Sequence, residues 1–386
     1  MQPFTFNTTK SLVFRPGATA DLAAELGGLV GDRVLFVTDP GLTQLGLYDA
    51  ALASLRGAGV AVTVFDRVEA DPSRATLEAA VEAGRAAEVT GVIGFGGGSS
   101  LDVAKLAALL LGSGEDLDAA WGVGMARGPR LPLVLVPTTA GTGSEVTPVS
   151  IITVGEEEKR GVSSPVILPD VAVLDADLTL GLPAAITAAT GVDAMVHAIE
   201  AYASANANNN PLSRMLAREA LRLLGANIRQ VVAEPGDVAA RGAMLLGSML
   251  AGQAFANSPV AAVHALAYPI GGTFHVPHGL SNALVLPHVL RFNAPEAYAL
   301  YAEIAPEAFP QLAEVDGDQA RCAAFIEALA DLSRDLGMPT RLRDVDIPES
   351  ALSKMASDAM LQTRLLVNNP RPVSEQDALS IYRAAW

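Results

Sequence analysis

An α/β domain followed by an all-helical one is the fold class this sequence predicts. A Rossmann-like parallel sheet is expected over residues 1–182, a helical metal-binding domain over 183–386, and a site in the cleft between them. Three observations carry that expectation. At 386 residues the chain exceeds what one hydrophobic core ordinarily serves. Its first half alternates short apolar runs with alanine-rich helical stretches. Beyond Pro183, clusters of β-branched residues give way to Ala, Leu, Met and Arg.

Taken in order, Val34–Val37 reads as a buried strand and Tyr48–Ala58 as a helix that ends at Gly57 or Gly59. Val60–Phe65 is a second strand, Ala75–Glu88 a helix, and Gly91–Phe95 a third strand. A further helix begins at Ser99, and Leu133–Val136 and Val171–Leu174 complete the strands. Strands apolar on both faces that alternate with helices indicate a parallel sheet covered on both sides. Ala184 to about Met249 and Asp316–Trp386 have helical composition, the latter broken at Pro339, Pro348 and Pro370. Asn206–Asn210 reads as a loop, and no internal repeat is present.

Composition excludes several classes of function. Half of the residues are hydrophobic and 18% are charged, which is material for a large core and unlike a disordered chain. A net charge of −16 excludes a nucleic-acid partner, since phosphate binding needs clustered Lys and Arg. Cys322 is the only cysteine, so intrachain disulfides and cysteine metal sites are ruled out, which fits a reducing, cytoplasmic compartment. The N-terminus lacks an apolar signal segment and reads as mature protein. No uninterrupted apolar run reaches the roughly 18 residues of a membrane span.

Two loops carry ligand chemistry. Gly96–Asp102 (GGGSSLD) follows a strand and precedes a helix. Glycines there let backbone N–H groups approach an anion at a helix N-terminus. Ser99, Ser100 and Asp102 serve equally well as helix caps. Thr138–Glu145 (TTAGTGSE) is a second such loop, richer in hydroxyl groups than a turn requires. Asp39, just past the first strand, suits ribose hydroxyls and repels a 2′-phosphate, which favours NAD over NADP; Asp-Pro-Gly is also ordinary turn chemistry.

The five histidines are His197, His264, His275, His278 and His288. Asp193 and His197 lie one helical turn apart on one face. With His264 and His278 they make an open set of three imidazoles and one carboxylate, suited to Fe(II) or Zn(II), with net charge +1 once a divalent ion is added. Singly, each residue is equally a surface pair or a hydrogen-bonded core group.

These segments together resemble the iron-containing (group III) alcohol dehydrogenases, whose members include lactaldehyde reductases and 1,3-propanediol dehydrogenases. The resemblance rests on Gly96–Ser99 with Asp102, Pro137–Glu145, Ala189–Tyr202, His264–Gly279, Leu286–Val289 and Asn368–Arg371, and spans almost the whole chain. It implies a metal, Fe(II) or alternatively Zn(II), held by Asp193, His197, His264 and His278. It implies coenzyme contacts from Asp39, Gly97, Gly98, Ser99, Thr138, Thr139, Thr142, Ser144 and Lys159, with Asp102 in the same glycine-rich turn. One departure is that many members have a second histidine four residues after the third ligand, where this chain has Tyr268. His275, with Tyr268 as the weaker candidate, is therefore expected to relay protons.

The implied function is hydride transfer between NAD and a primary or small alcohol, or a hydroxy acid, with the metal polarising the substrate oxygen. The expected assembly is a homo-oligomer, a dimer. Alternatives on the same architecture are a hydroxyacid–oxoacid transhydrogenase, a glycerol dehydrogenase-like enzyme or dehydroquinate synthase chemistry. A non-catalytic nucleotide-binding protein is a reading from another class, and the intact set of four metal-site residues argues against it.

Overall fold

The computed structural model describes residues 2–155 and 158–386. It divides into two compact units, one formed by Asn7–Thr139 and Gly143–Leu180, the other by Met1–Phe6, Ala140–Thr142 and Gly181–Trp386.

The first unit contains strands β1 (Ser11–Phe14), β2 (Arg33–Val37), β3 (Ala61–Phe65), β4 (Gly91–Gly96), β5 (Gly122–Val123), β6 (Leu133–Pro137), β7 (Val149–Val154), β8 (Glu158–Ser163) and β9 (Val171–Leu174). Its helices are α1 (Leu22–Leu26), α2 (Pro40–Leu45), α3 (Asp49–Gly57), α4 (Arg74–Ala86), α5 (Gly98–Ser113) and α6 (Leu117–Ala120). Six strands form one parallel sheet in the order β1-β9-β6-β4-β2-β3. Side chains alternate across it. Val34, Phe36, Ile93, Phe95, Val134 and Val136 face one core with α1 and α3. Leu35, Val37, Val92, Leu133 and Leu135 face another with α4 and α5. Both faces are therefore dry, which is why the strands read as unbroken apolar runs.

The chain passes from β2 to β3 on one side, then crosses back to β4 on the other. This reversal leaves a crevice outside the carboxyl ends of β2 and β4, the place where open α/β sheets bind ligands.

Two features correct the sequence-based expectation. β1 adds a parallel edge strand beside β9. Residues between β6 and β9, where no element is assigned from sequence, form an antiparallel hairpin of β7 and β8, with β5 paired to β8 in a separate small sheet. The sequence carries no strand signal for the hairpin because β8 begins Glu158-Lys159-Arg160 and has no apolar run.

The second unit holds α7 (Ala184–Ala203), α8 (Pro211–Ala233), α9 (Val238–Asn257), α10 (Ala262–Phe274), α11 (His278–Ala308), α12 (Asp318–Asp335), α13 (Leu352–Ala359), α14 (Thr363–Leu366) and α15 (Glu375–Ala385). Asn210 caps α8 through Leu212 and Ser213 N–H, with Pro211 at the first position, and Asp237 caps α9. α7 is the central helix: every residue from Gly191 to Ala203 is buried, and α8, α9 and α11 pack around it. Among the described residues no helix is long and apolar enough to cross a membrane.

Asp170 ties the sheet together beside the start of β9. Its carboxylate accepts from Lys10 Nζ and Arg130 Nη1, both at 2.6 Å, and from Leu133 N at 3.0 Å. Burial pushes this carboxyl up, but the Arg130 and Lys10 hydrogen bonds more than offset it and hold it down to about 2. A depressed folded-state pKa means stability that is present above the unfolded value near 4 and lost as pH falls toward 2. Asp170→Asn should therefore lower stability by on the order of 2 kcal/mol at neutral pH. In urea melts from pH 7 to pH 2 the gap to wild type should close below pH about 4; a gap that stays constant would contradict the assignment.

Candidate metal centre

Helix α7 presents Asp193, His197 and Glu200 on one buried face at successive turns. Buried carboxylates and imidazoles are costly unless each polar atom finds a partner, so the partners show what the site is built for. Glu200 accepts from Ala261 N at 3.0 Å and Val263 N at 2.7 Å, which caps the start of α10, where Ala261 offers no capping side chain of its own. The same carboxylate lies 2.7 Å from His264 Nδ1. This contact fixes the imidazole tautomer with hydrogen on Nδ1 and leaves the Nε2 lone pair for the site.

His197 is set in the same way: Nδ1 donates to the Gly141 carbonyl at 3.2 Å. A Cβ on Gly141 would stand 2.7 Å from Thr190 Cβ, so only glycine lets this loop lie against α7. The His197 ring stacks between Phe255 at 4.5 Å and His264 at 4.7 Å. His278 opens α11, and the next residue, Gly279, sits where a Cβ would be 2.4 Å from the Ala189 carbonyl oxygen of α7. That close approach brings His278 Nε2 to 3.7 Å from Asp193 Oδ1.

One ligand atom from each of Asp193, His197, His264 and His278 falls within 4.8 Å of the others. Asn282, one turn beyond His278, points its Nδ2 among them, 2.6 Å from Asp193 Oδ1 and 3.3 Å from both His264 Nε2 and His278 Nε2. An amide nitrogen has two hydrogens and here faces three acceptors. Its own Oδ1 is buried without a partner. The cluster is thus rich in lone pairs and short of positive charge, and a cation fits it. Bonds of about 2.1 Å to one ion place tetrahedral ligand atoms roughly 3.4 Å apart, the scale of this cluster.

Protonation agrees with that chemistry. Burial pushes His197 down to about 3, so its imidazole is neutral and able to donate a lone pair. Burial alone would raise Asp193, but the three imidazoles and Asn282 together hold it below the usual carboxylate range. His278 differs from the other three in being 46% exposed, so the set opens to solvent on that side. Tyr268 lies one turn after His264, its ring 6.4 Å from His278 and its hydroxyl accepting from Arg364 Nη2 at 3.3 Å. His275, the C-cap of α10 at φ 55°, is exposed and has no ring contact with the set among the described residues.

In the α/β unit, Gly96 adopts φ 152° where a Cβ would meet Ser100 at 2.8 Å. Gly97 begins α5 with no side-chain cap, which leaves the N–H groups of Gly98 and Ser99 open at the sheet crevice. Asp39 combines both of its expected uses. Oδ1 caps α2 through Leu42 N at 3.0 Å, while Oδ2 has no hydrogen bond among the described residues and lies near Gly96. Thr38, beside it, has a buried hydroxyl without a partner. Thr138 is buried at the end of β6, its N–H donating to the Gly96 carbonyl; Thr139 and Thr142 are half-buried.

Asp102 and Ser144, expected against a coenzyme, also hold a buried lysine. Lys105 Nζ donates to Ser144 Oγ and to the Val149 carbonyl, each at 2.7 Å, and lies 3.5 Å from Asp102. Asp102 accepts from Ser144 Oγ at 2.6 Å and Ile151 N at 2.8 Å. A fully buried ammonium needs these partners, and they account for part of the loop's excess hydroxyl content. Lys159, half-buried on β8, pairs with Asp71. Spacing alone assigns no site role to Glu200, Asn282, Lys105 or Gly141, although Glu200 continues the Asp193/His197 face and Asn282 follows His278 by one turn.

Residues 9–176 match the family described as iron-containing alcohol dehydrogenase, and residues 187–386 the C-terminal part of the Fe-containing alcohol dehydrogenase family. The chain is 43% identical to long-chain-alcohol dehydrogenase 1 of Geobacillus thermodenitrificans over 378 residues, 96% of this chain and 93% of that one. A crystal structure of 1,3-propanediol oxidoreductase superposes with a TM-score of 0.95 at 36% identity, with both chains fully covered. Sulfoacetaldehyde reductase from Bifidobacterium kashiwanohense, solved in complex with NAD+, superposes at 0.86 with 28% identity, over 100% of this chain and 99% of that one.

Glu200→Gln should weaken divalent-metal affinity by about 10- to 100-fold in competition with a chelator, because it disturbs the partner that orients His264. Gly279→Ala should do at least as much by forcing α11 away from α7. Affinities equal to wild type in both variants would show that neither contact shapes the site.

Proposed function

This chain belongs to the iron-containing alcohol dehydrogenase family, and on that premise we propose that it interconverts a primary or small alcohol and its aldehyde, with NAD as the redox partner. The observation that carries the reading is the convergence of Asp193, His197, His264 and His278 into a set short of one cation. Fe(II) is the proposed ion, with Zn(II) as the alternative for the same donors. When bound, the ion supplies Lewis acidity to a substrate oxygen and the nicotinamide supplies the hydride acceptor.

The chain's own residues prepare that chemistry. Glu200 and the Gly141 carbonyl hold His264 and His197 in the lone-pair-forward tautomer. Asn282 keeps Asp193 oriented, and one carboxylate with three imidazole ligands would leave a divalent site at net charge +1. Substrate approaches beside His278, the solvent-open member of the set. Proton exchange falls to exposed His275, with Tyr268, which borders His278, as the second candidate.

For the coenzyme, the open N-terminus of α5 at Gly97, Gly98 and Ser99 suits the pyrophosphate, with Thr138, Thr139 and Thr142 as further contacts. Asp39 suits the ribose hydroxyls through its spare oxygen and repels a 2′-phosphate. Lys159 is assigned to a ribose contact. Asp102 and Ser144 are assigned to the same coenzyme site, where they also position Lys105. A relative solved with NAD+ supports the choice of coenzyme. Edge strand β1, with Leu12 and Phe14 39% and 45% exposed, supports a homodimer, which sedimentation would test. The lone, buried Cys322 accords with a cytoplasmic location.

Anaerobically purified protein should form NADH from short primary alcohols, lose that activity on chelation and regain it with Fe(II). Undiminished activity in metal-free protein would contradict the proposal. His264→Ala should abolish metal retention, and a fully metallated variant would show the ligand to be misplaced. Asp39→Gly should lower the NAD-to-NADP preference in kcat/KM by about tenfold, the equivalent of one lost charge-assisted hydrogen bond; an unchanged preference would free Asp39 from that role.

A further inference from the structure

The reaction proposed above leaves one cation beside the metal-site residues without a task. Arg364 lies on α14, which packs against α10. Its Nη2 donates to the Tyr268 hydroxyl, and the Tyr268 ring borders His278, the member of the set that opens to solvent. The guanidinium therefore stands one phenol ring away from the open side of the site. Several arginines of the helical unit have carboxylate partners, among them Arg218 with Glu307, Arg222 with Glu219, Arg229 with Asp335 and Arg291 with Glu327, whereas Arg214, Arg241, Arg341, Arg343, Arg371 and Arg383, like Arg364, form no ion pair among the described residues. Arg364 is exposed and has no ion pair among the described residues, in a chain with 42 acidic and 26 basic side chains.

Long-range electrostatics work against an anion here, because a protein of net charge −16 repels it. An anionic substrate therefore needs a local cation, and a guanidinium is well suited. Its planar fork grips a carboxylate or sulfonate through parallel hydrogen bonds, and only one of its five N–H groups is committed to Tyr268. Anchoring on Tyr268 also limits the freedom lost when a ligand is bound.

We propose that Arg364 is a specificity-determining residue that binds the anionic end of an alcohol or aldehyde substrate bearing a carboxylate or sulfonate a few carbons from the reacting carbon. The inference rests on the function proposed above. The reaction is RCH2OH + NAD+ → RCHO + NADH + H+, and the anionic group in R takes no part in bond making or breaking.

The test uses the full-length, Fe(II)-loaded protein and two matched pairs: 4-hydroxybutyrate with 1-butanol, and 2-hydroxyethanesulfonate with ethanol. In wild type at least one anion should be turned over with a higher kcat/KM than its neutral partner. Arg364→Gln should reduce the anion-to-neutral ratio for that pair by about 10- to 100-fold, mostly through KM, and Arg364→Lys should restore part of it. Calorimetric titration of zinc-loaded protein with the preferred anion should show its Kd rising by a similar factor in Arg364→Gln. Dependence in one pair alone identifies which anion the site takes. A ratio unaltered by Arg364→Gln overturns the proposal while leaving the alcohol dehydrogenase reading intact. So does a variant that changes only the KM for NAD, since that assigns the guanidinium to the coenzyme. Failure of wild type to turn over any of the four alcohols overturns both.

Discussion

Asp193, His197, His264 and His278 crowd one anionic oxygen and three basic nitrogens into a region that is almost dry on three of its four members. Lone pairs aimed at one another repel, and burial removes the water that could separate them. The helical unit is organised around holding this arrangement. α7 supplies the carboxylate, the first imidazole and the Glu200 carboxylate that orients the second, so one face of one helix must be dry over several turns. α8, α9 and α11 enclose it closely: a Cβ on Gly191 would meet Met244 at 2.8 Å and Ile228 at 2.9 Å. Asn282 places two polarised hydrogens among three acceptors, a partial answer that one ion completes.

The α/β unit meets a related demand with a different device. Its ligand crevice comes from topology, where the strand order reverses between β2 and β4. Parallel packing keeps that sheet apolar on both faces, so polar function is confined to the carboxyl ends of its strands. There the loop after β6 is braced from below by Lys105, an ammonium whose pKa burial lowers while Asp102 and Glu145 pull it back. Glu145 is itself pushed up to about 7 by burial.

Much of this was legible in the residues. The buried strands Arg33–Val37, Gly91–Gly96 and Leu133–Pro137 are apolar runs bounded by turn residues, and the helices between them are alanine-rich segments. Asp193 and His197 announce a shared helix face by spacing alone, and His264 and His278 stand out because histidine is scarce. The β7–β8 hairpin stayed hidden because its second strand is charged. Partners such as Glu200 and Asn282 are ordinary polar residues until the packing of α7, α10 and α11 brings them against the imidazoles. Gly141 and Gly279 are legible as glycines, but the reason for them is a neighbour distant in sequence, Thr190 in one case and Ala189 in the other. Asp102 and Ser144 have a further partner that spacing does not announce, the buried Lys105 beneath the hydroxyl-rich loop.

X-ray absorption of the Fe(II)-loaded protein tests the central claim most directly. Buried lone pairs that enclose one ion predict a first shell of nitrogen and oxygen at about 2.1 Å, with outer-shell scattering from three imidazole rings and no sulfur. A spectrum with fewer imidazoles, or with the ion bound chiefly by water, would show that these side chains gather for some other purpose.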